Sequence, residues 1–143
     1  MTAKSLPAHV HQEEMKCGMV YREAKGSGDY VLAEKMLLSV WNAYPDPKHL
    51  WDSSQSLIKD IADFYRERRD YAVAEQWAGE LFKCDLLPYD AEPYIILGRI
   101  YLDSDRQDLA AQYLIKAYEL GGRRGYVGEE PKYLKFALDQ MKR

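Results

Sequence analysis

Leu97-Gly98-Arg99-Ile100-Tyr101-Leu102-Asp103, followed a short turn later by Gln107-Asp108-Leu109-Ala110-Ala111, is the stretch that decides the fold. The same pattern stands at Ile61-Ala62-Asp63-Phe64-Tyr65-Arg66-Glu67 with Asp70-Tyr71-Ala72-Val73-Ala74-Glu75. It stands again at Cys17-Gly18-Met19-Val20-Tyr21-Arg22-Glu23 with Asp29-Tyr30-Val31-Leu32-Ala33-Glu34. Copies recurring at a period of roughly 36 to 44 residues indicate stacked supersecondary units. Within each copy the apolar residues follow helical steps. Leu57, Ile58, Ile61, Phe64 and Tyr65 form one stripe, and Tyr71, Ala74, Trp77, Ala78, Leu81 and Phe82 form its partner. The small residues Gly18, Ala62 and Gly98 align, as do Ala33, Ala74 and Ala110, and small side chains at a helix crossing let two backbones approach.

Punctuation fits helix pairs. Gly26-Ser27-Gly28, Arg68-Arg69 and Ser104-Asp105-Arg106 are short polar turns within the units, with Asp29, Asp70 and Asp105 as expected helix N-caps. Pro45-Asp46-Pro47 and the segment from Pro88 to Pro93 separate the units, and Gly121-Gly122 ends the third. Arg123 to Glu130 reads as a polar loop, after which Pro131 opens a last helix. No segment alternates as a half-buried strand does. The expected architecture is all-α and of one domain. It comprises three stacked antiparallel helix pairs at about 8–45, 50–88 and 91–122, and a capping helix at about 131–142.

The chain of 143 residues is 47% hydrophobic with 12 Tyr and 3 Trp, enough for a continuous core. Its net charge of −3 argues against general nucleic-acid affinity, which shows as a strongly basic domain. Cys17 and Cys84 form no CxxC pair and read as small buried hydrophobes on helix faces. Met1 to Glu14 has no apolar run and does not read as a signal peptide. No stretch is long enough for a membrane span, and the expected location is cytoplasmic. Trp41, Trp51 and Trp77 are expected in the core and His49 at the surface.

The third unit resembles the tetratricopeptide repeat in Tyr94, Leu97-Gly98, Tyr101, Ala110, Leu114 and Ala117. The second matches in Ile58, Ile61-Ala62, Tyr65, Ala74 and Leu81, with Pro88 slightly late. The first keeps Gly18, Tyr21, Ala33, Val40 and Pro45 around an internal turn read as three residues longer. The resemblance spans residues 8 to 122 and implies a right-handed solenoid that binds a protein partner. Ala117-Tyr118-Glu119-Leu120-Gly121-Gly122 and Gly128-Glu129-Glu130-Pro131-Lys132-Tyr133-Leu134 are similar to the ending of small bacterial repeat proteins. Members of that group are encoded beside polymorphic or contact-dependent toxins and are thought to act as immunity proteins. This implies a toxin domain as partner.

In such a stack the first helices line one face. The expected contact residues are Met15, Met19 and Arg22, then Lys59, Asp63 and Arg66, then Ile95, Arg99 and Asp103. Met and Arg suit interface cores. A solvated face with an i,i+4 pair of Lys59 and Asp63 is the plainer reading of the charges. The aligned positions lack the Lys and Asn clamp with which repeat domains grip chaperone tails. His9-x-His11 cannot share a helix face and lies in a segment expected to fray. No HExxH, GxSxG, phosphate loop or paired CxxC is present, so neither enzyme activity, metal nor cofactor is expected. The alternatives to an immunity protein are an adaptor subunit of a larger assembly and a self-associating homodimer. Double reversal of Arg66 and Arg99 to Glu is expected to abolish binding without loss of stability.

Overall fold

The computed structural model describes residues 4–143, so Met1 to Ala3 of the N-terminal segment lie outside the described residues. The chain is all-helical. Helices α1 (Ala8–Ser27) and α2 (Tyr30–Ala43) form the first pair, and α3 (Ser54–Glu67) and α4 (Tyr71–Gly79) the second. Helices α5 (Glu92–Asp103) and α6 (Gln107–Gly121) form the third, and α7 (Pro131–Met141) follows. Each pair packs mainly on itself, and α7 packs on α6, where Tyr133 and Ala137 are buried. No described helix is long and apolar enough to cross a membrane.

One turn is built three times. Gly28, Arg69 and Asp105 all take positive φ, of 82°, 62° and 62°. The next residue donates its amide back over the end of the preceding helix: Asp29 N–H to Ala24 O at 2.8 Å, Asp70 N–H to Tyr65 O at 2.9 Å, Arg106 N–H to Tyr101 O at 2.8 Å. These turns set the structural register, in which Ala24, Tyr65 and Tyr101 are equivalent. The expectation of a longer turn in the first unit is therefore corrected. Its turn is the same, and α1 is the longer helix. Of the expected caps only Asp29 accepts a side-chain bond, from Leu32 N–H at 3.2 Å. Asp70 holds the cap position without such a bond, and Asp105 is the left-handed residue, with Arg106 at the cap.

The same register corrects the alignment of small residues. Gly98 and Ala62 are matched by Tyr21, not Gly18. At Gly98 a Cβ atom would stand 2.4 Å from Leu114 Cδ2, so only glycine allows this crossing of α5 and α6. At Gly18 a Cβ would meet only the end of the Arg22 side chain, at 3.4 Å. Tyr21 instead projects its ring edge-on towards Phe64 of α3, with centroids 6.3 Å apart.

Between units the stitching also repeats. Tyr65 Oη–H donates to Glu34 at 2.7 Å and Tyr101 Oη–H to Glu75 at 2.8 Å, so a tyrosine of each later first helix holds the second helix before it. The connection after α2 carries further ties. Lys48 Nζ donates to the Trp41, Asn42 and Tyr44 carbonyls at the end of α2, and Trp51 Nε1–H to Pro45 O at 2.8 Å. The tryptophans are half-buried, Trp41 meeting Trp77 edge-on at 5.6 Å. His49 is also half-buried, packed on Trp41 and 3.1 Å from Glu80, which corrects the surface expectation. His9 and His11 lie at the start of α1, and both are exposed.

A two-part binding face as the candidate functional site

The face formed by α1, α3 and α5 divides at α3. On the α5 side it is closed by the chain itself. Within the stretch from Arg123 to Glu130, expected as a polar loop, the chain instead begins with a 3₁₀ turn (Gly122–Tyr126) that packs mainly on α6 and faces the start of α5 through Gly125. A Cβ at Gly125 would come within 3.1 Å of Ala91 and 3.9 Å of Ile95, and buried Tyr126 donates its hydroxyl to Leu114 O. Ile95, expected as an exposed apolar contact, is 2% exposed beneath this cover. Arg99 is 7% exposed and paired with both Asp63 and Glu129, the latter at 2.7 Å.

Beside this pair runs a second. Arg66 donates to Asp103 at 2.8 Å and lies 3.5 Å from Asp63, while Tyr133 Oη–H of α7 reaches Asp103 at 2.9 Å. Burial works against the Arg66 charge, but the hydrogen bond to Asp103 and the nearby Asp63 outweigh it and hold its pKa above the ordinary value. Burial, then the Asp103 bond, pushes the Tyr133 hydroxyl up. Asp63, Arg66, Arg99 and Asp103 were expected to orient a partner. They instead hold α3, α5, the segment before α7 and α7 together, and a charged group spent in this way is not free to recognise a ligand. The expected Lys59–Asp63 pair is also absent. Lys59 approaches Glu92 at 3.6 Å, because Asp63 is taken by the arginines.

On the other side of α3 the face is open. Helix α1 approaches α3 less closely than α3 approaches α5, and a cleft of about 710 Å³ lies between them. Met36, Leu37 and Val40 of α2 with Leu57 of α3 give it an apolar floor. One wall is α1, with Met15, Gly18, Met19 and Arg22; the other is a polar stripe of Ser53, just before α3, and Ser56, Asp60 and Asp63 of α3. One end is closed by Lys25 and Glu67, 2.8 Å apart beside the Tyr21–Phe64 contact. The other is held by the buried Tyr44 hydroxyl, which donates to Glu14 and lies 2.7 Å from Ser53 Oγ.

Met15 and Met19 are 59% and 65% exposed on the cleft rim, the expectation for these two residues. Arg22 has no carboxylate within ion-pair distance among the described residues. It is the register equivalent of Asp63 and Arg99, so charges alternate along Arg22, Asp63, Arg99 and Glu129, and only the first step remains open. Asp60, the equivalent of Met19, was read from the sequence as one carboxylate of a solvated polar face and not as a contact residue. It is exposed by surface area, yet the cleft walls strip part of its water and Asp63 adds repulsion, which raises its carboxyl pKa above the ordinary value. The signal that could have found it is the Ser53, Ser56, Asp60, Asp63 spacing, a single helical stripe.

The cysteines offer no reactive thiolate. Burial, aided by the Glu13 hydrogen bond, raises the Cys17 thiol, and burial pushes Cys84 up to about 11. Cys84 lies just past the 3₁₀ turn that ends α4, not on a helix face. No protein-family model matches the chain, and no curated protein does either.

Proposed function

We propose that this chain is a non-enzymatic protein-binding repeat scaffold of tetratricopeptide type that takes its partner in the α1–α3 cleft. The observation that carries the reading is the contrast in pairing: Met15, Met19 and Arg22 remain uncovered while the charges further along the same face are consumed internally. Exposed apolar side chains on a concave, pre-formed surface favour association, because little ordering is required on binding. In its specific form the protein is a cytoplasmic immunity protein, and the partner is a toxin domain whose active site is occluded. The similarity of the segments 117–122 and 128–134 to the endings of such proteins supports that form.

Affinity capture of the tagged chain from its native host, read by mass spectrometry, tests this reading together with Met15→Glu and Met19→Glu combined. One stoichiometric partner with a toxin-like domain, lost in the double variant and neutralised in a cell-protection assay, is the expected result. Several partners from one complex would replace the immunity reading with the adaptor. Because both methionines are exposed, the double variant keeps its melting temperature, with a stability change within about 0.5 kcal/mol.

A further inference from the structure

The charges of the cleft say what kind of segment it accepts. Glu14 lies at one end with the Tyr44 hydroxyl, and Asp60 stands on the α3 wall with no cation within ion-pair distance among the described residues. The other cleft carboxylates are engaged, Asp63 by Arg66 and Arg99 and Glu67 by Lys25. The neighbouring cations do not answer Asp60, since Lys59 leans to Glu92 and Lys25 to Glu67. The floor and the Met15–Met19 rim are apolar. Arg22, which has no ion-pair partner among the described residues, sits towards the Lys25 end, about one helical turn beyond Met19.

We infer that the cleft receives a protein segment pairing an apolar side chain with an adjacent lysine or arginine. The apolar group lies on Met15, Met19, Leu37 and Val40, and the cation meets Asp60 with Glu14 behind it. An acidic residue further along that segment faces Arg22. The inference rests on the reading of the cleft as the partner seat and adds the partner's chemistry. A carboxylate on the cleft wall with no cation of its own gains from a cation brought in with surface that shields the pair from water.

The test selects short random peptides from a displayed library on the full-length protein, then measures the enriched peptides in solution against variants. Enrichment of peptides with a Lys or Arg next to a large apolar residue is expected. Binding should weaken about tenfold or more for Asp60→Lys, the scale of losing one close charge pair, and weaken less for Asp60→Asn. It should also fall as salt is raised. Both substitutions are at an exposed position, and circular dichroism checks that each variant keeps its helicity. Enriched acidic peptides that Met19→Glu abolishes would overturn the basic-segment inference while leaving the cleft as the seat. Peptides indifferent to both Met19→Glu and Asp60→Lys, or no enrichment at all, would overturn the inference and the seat together. A dimer in light scattering that Met19→Glu dissolves would also overturn it, by giving the cleft to a second copy.

Discussion

Helices α1 and α5 occupy equivalent places in their units, yet α5 is buried from Ile95 to Tyr101 without a break, whereas α1 buries only Val10, Cys17 and Ala24. The difference lies in what covers them. Besides α6, helix α5 packs on α4 and α3 of the unit before it, and Glu129 and Tyr133 reach it from the closing segment, so even its arginine is enclosed between two carboxylates. Helix α1 is followed by α3 at a distance, with Tyr21 standing where Gly98 lets α5 settle onto α6. One repeated face thus becomes a structural seam at one end and an open cleft at the other. Repetition of sequence does not imply repetition of function when the ends of a stack have different neighbours.

The sharpest way to break this comparison is Arg99→Ala. It leaves Asp63 and Glu129 without their shared cation and is expected to cost about 3–5 kcal/mol, read as a large drop in denaturation midpoint. It should also free the 122–130 segment to proteolysis. A loss below about 1 kcal/mol would show that the network is not what closes the α5 side. The double reversal of Arg66 and Arg99 to Glu is for the same reason an unfolding test and not a binding test.

Next in size is a pair of glycine substitutions that sequence alignment treats as equivalent. Gly98→Ala forces a methyl group into Leu114 and should destabilise by about 1–3 kcal/mol. Gly18→Ala meets only a movable side-chain end on a helix, and should be neutral or stabilise by up to about 1 kcal/mol. Thermal melts of the two variants with the same sign and size would refute the register set by the turns.

The smallest effect is a pH dependence at Asp60. Its pKa in the folded chain is raised, so ionising it disfavours the fold, and the penalty grows as pH rises through the carboxylate range. Asp60→Asn is therefore expected to be slightly more stable than wild type at neutral pH. The advantage should disappear in acid, once the native carboxyl is protonated. Lys25, Lys59, Glu14 and Asp63 act on the same group, and an advantage that persists in acid would assign the effect to packing.

The helical class, the pairing of consecutive helices and the closing helix were legible in the chain alone, because they follow from apolar periodicity and from proline and glycine placement, which are local. The sequence also placed Met15 and Met19 on an exposed face. The register of α1 was not legible. A tyrosine recurring in all three copies suggested one alignment, whereas the hydrogen-bonded turns after Ala24, Tyr65 and Tyr101 impose another. Only the tertiary structure decided that Ile95 and Arg99 are covered and Asp60 is not. Their exposure depends on where a segment some thirty residues away returns to pack, and on how closely neighbouring helices approach. Both are long-range outcomes of side-chain volume and charge pairing that no local pattern records.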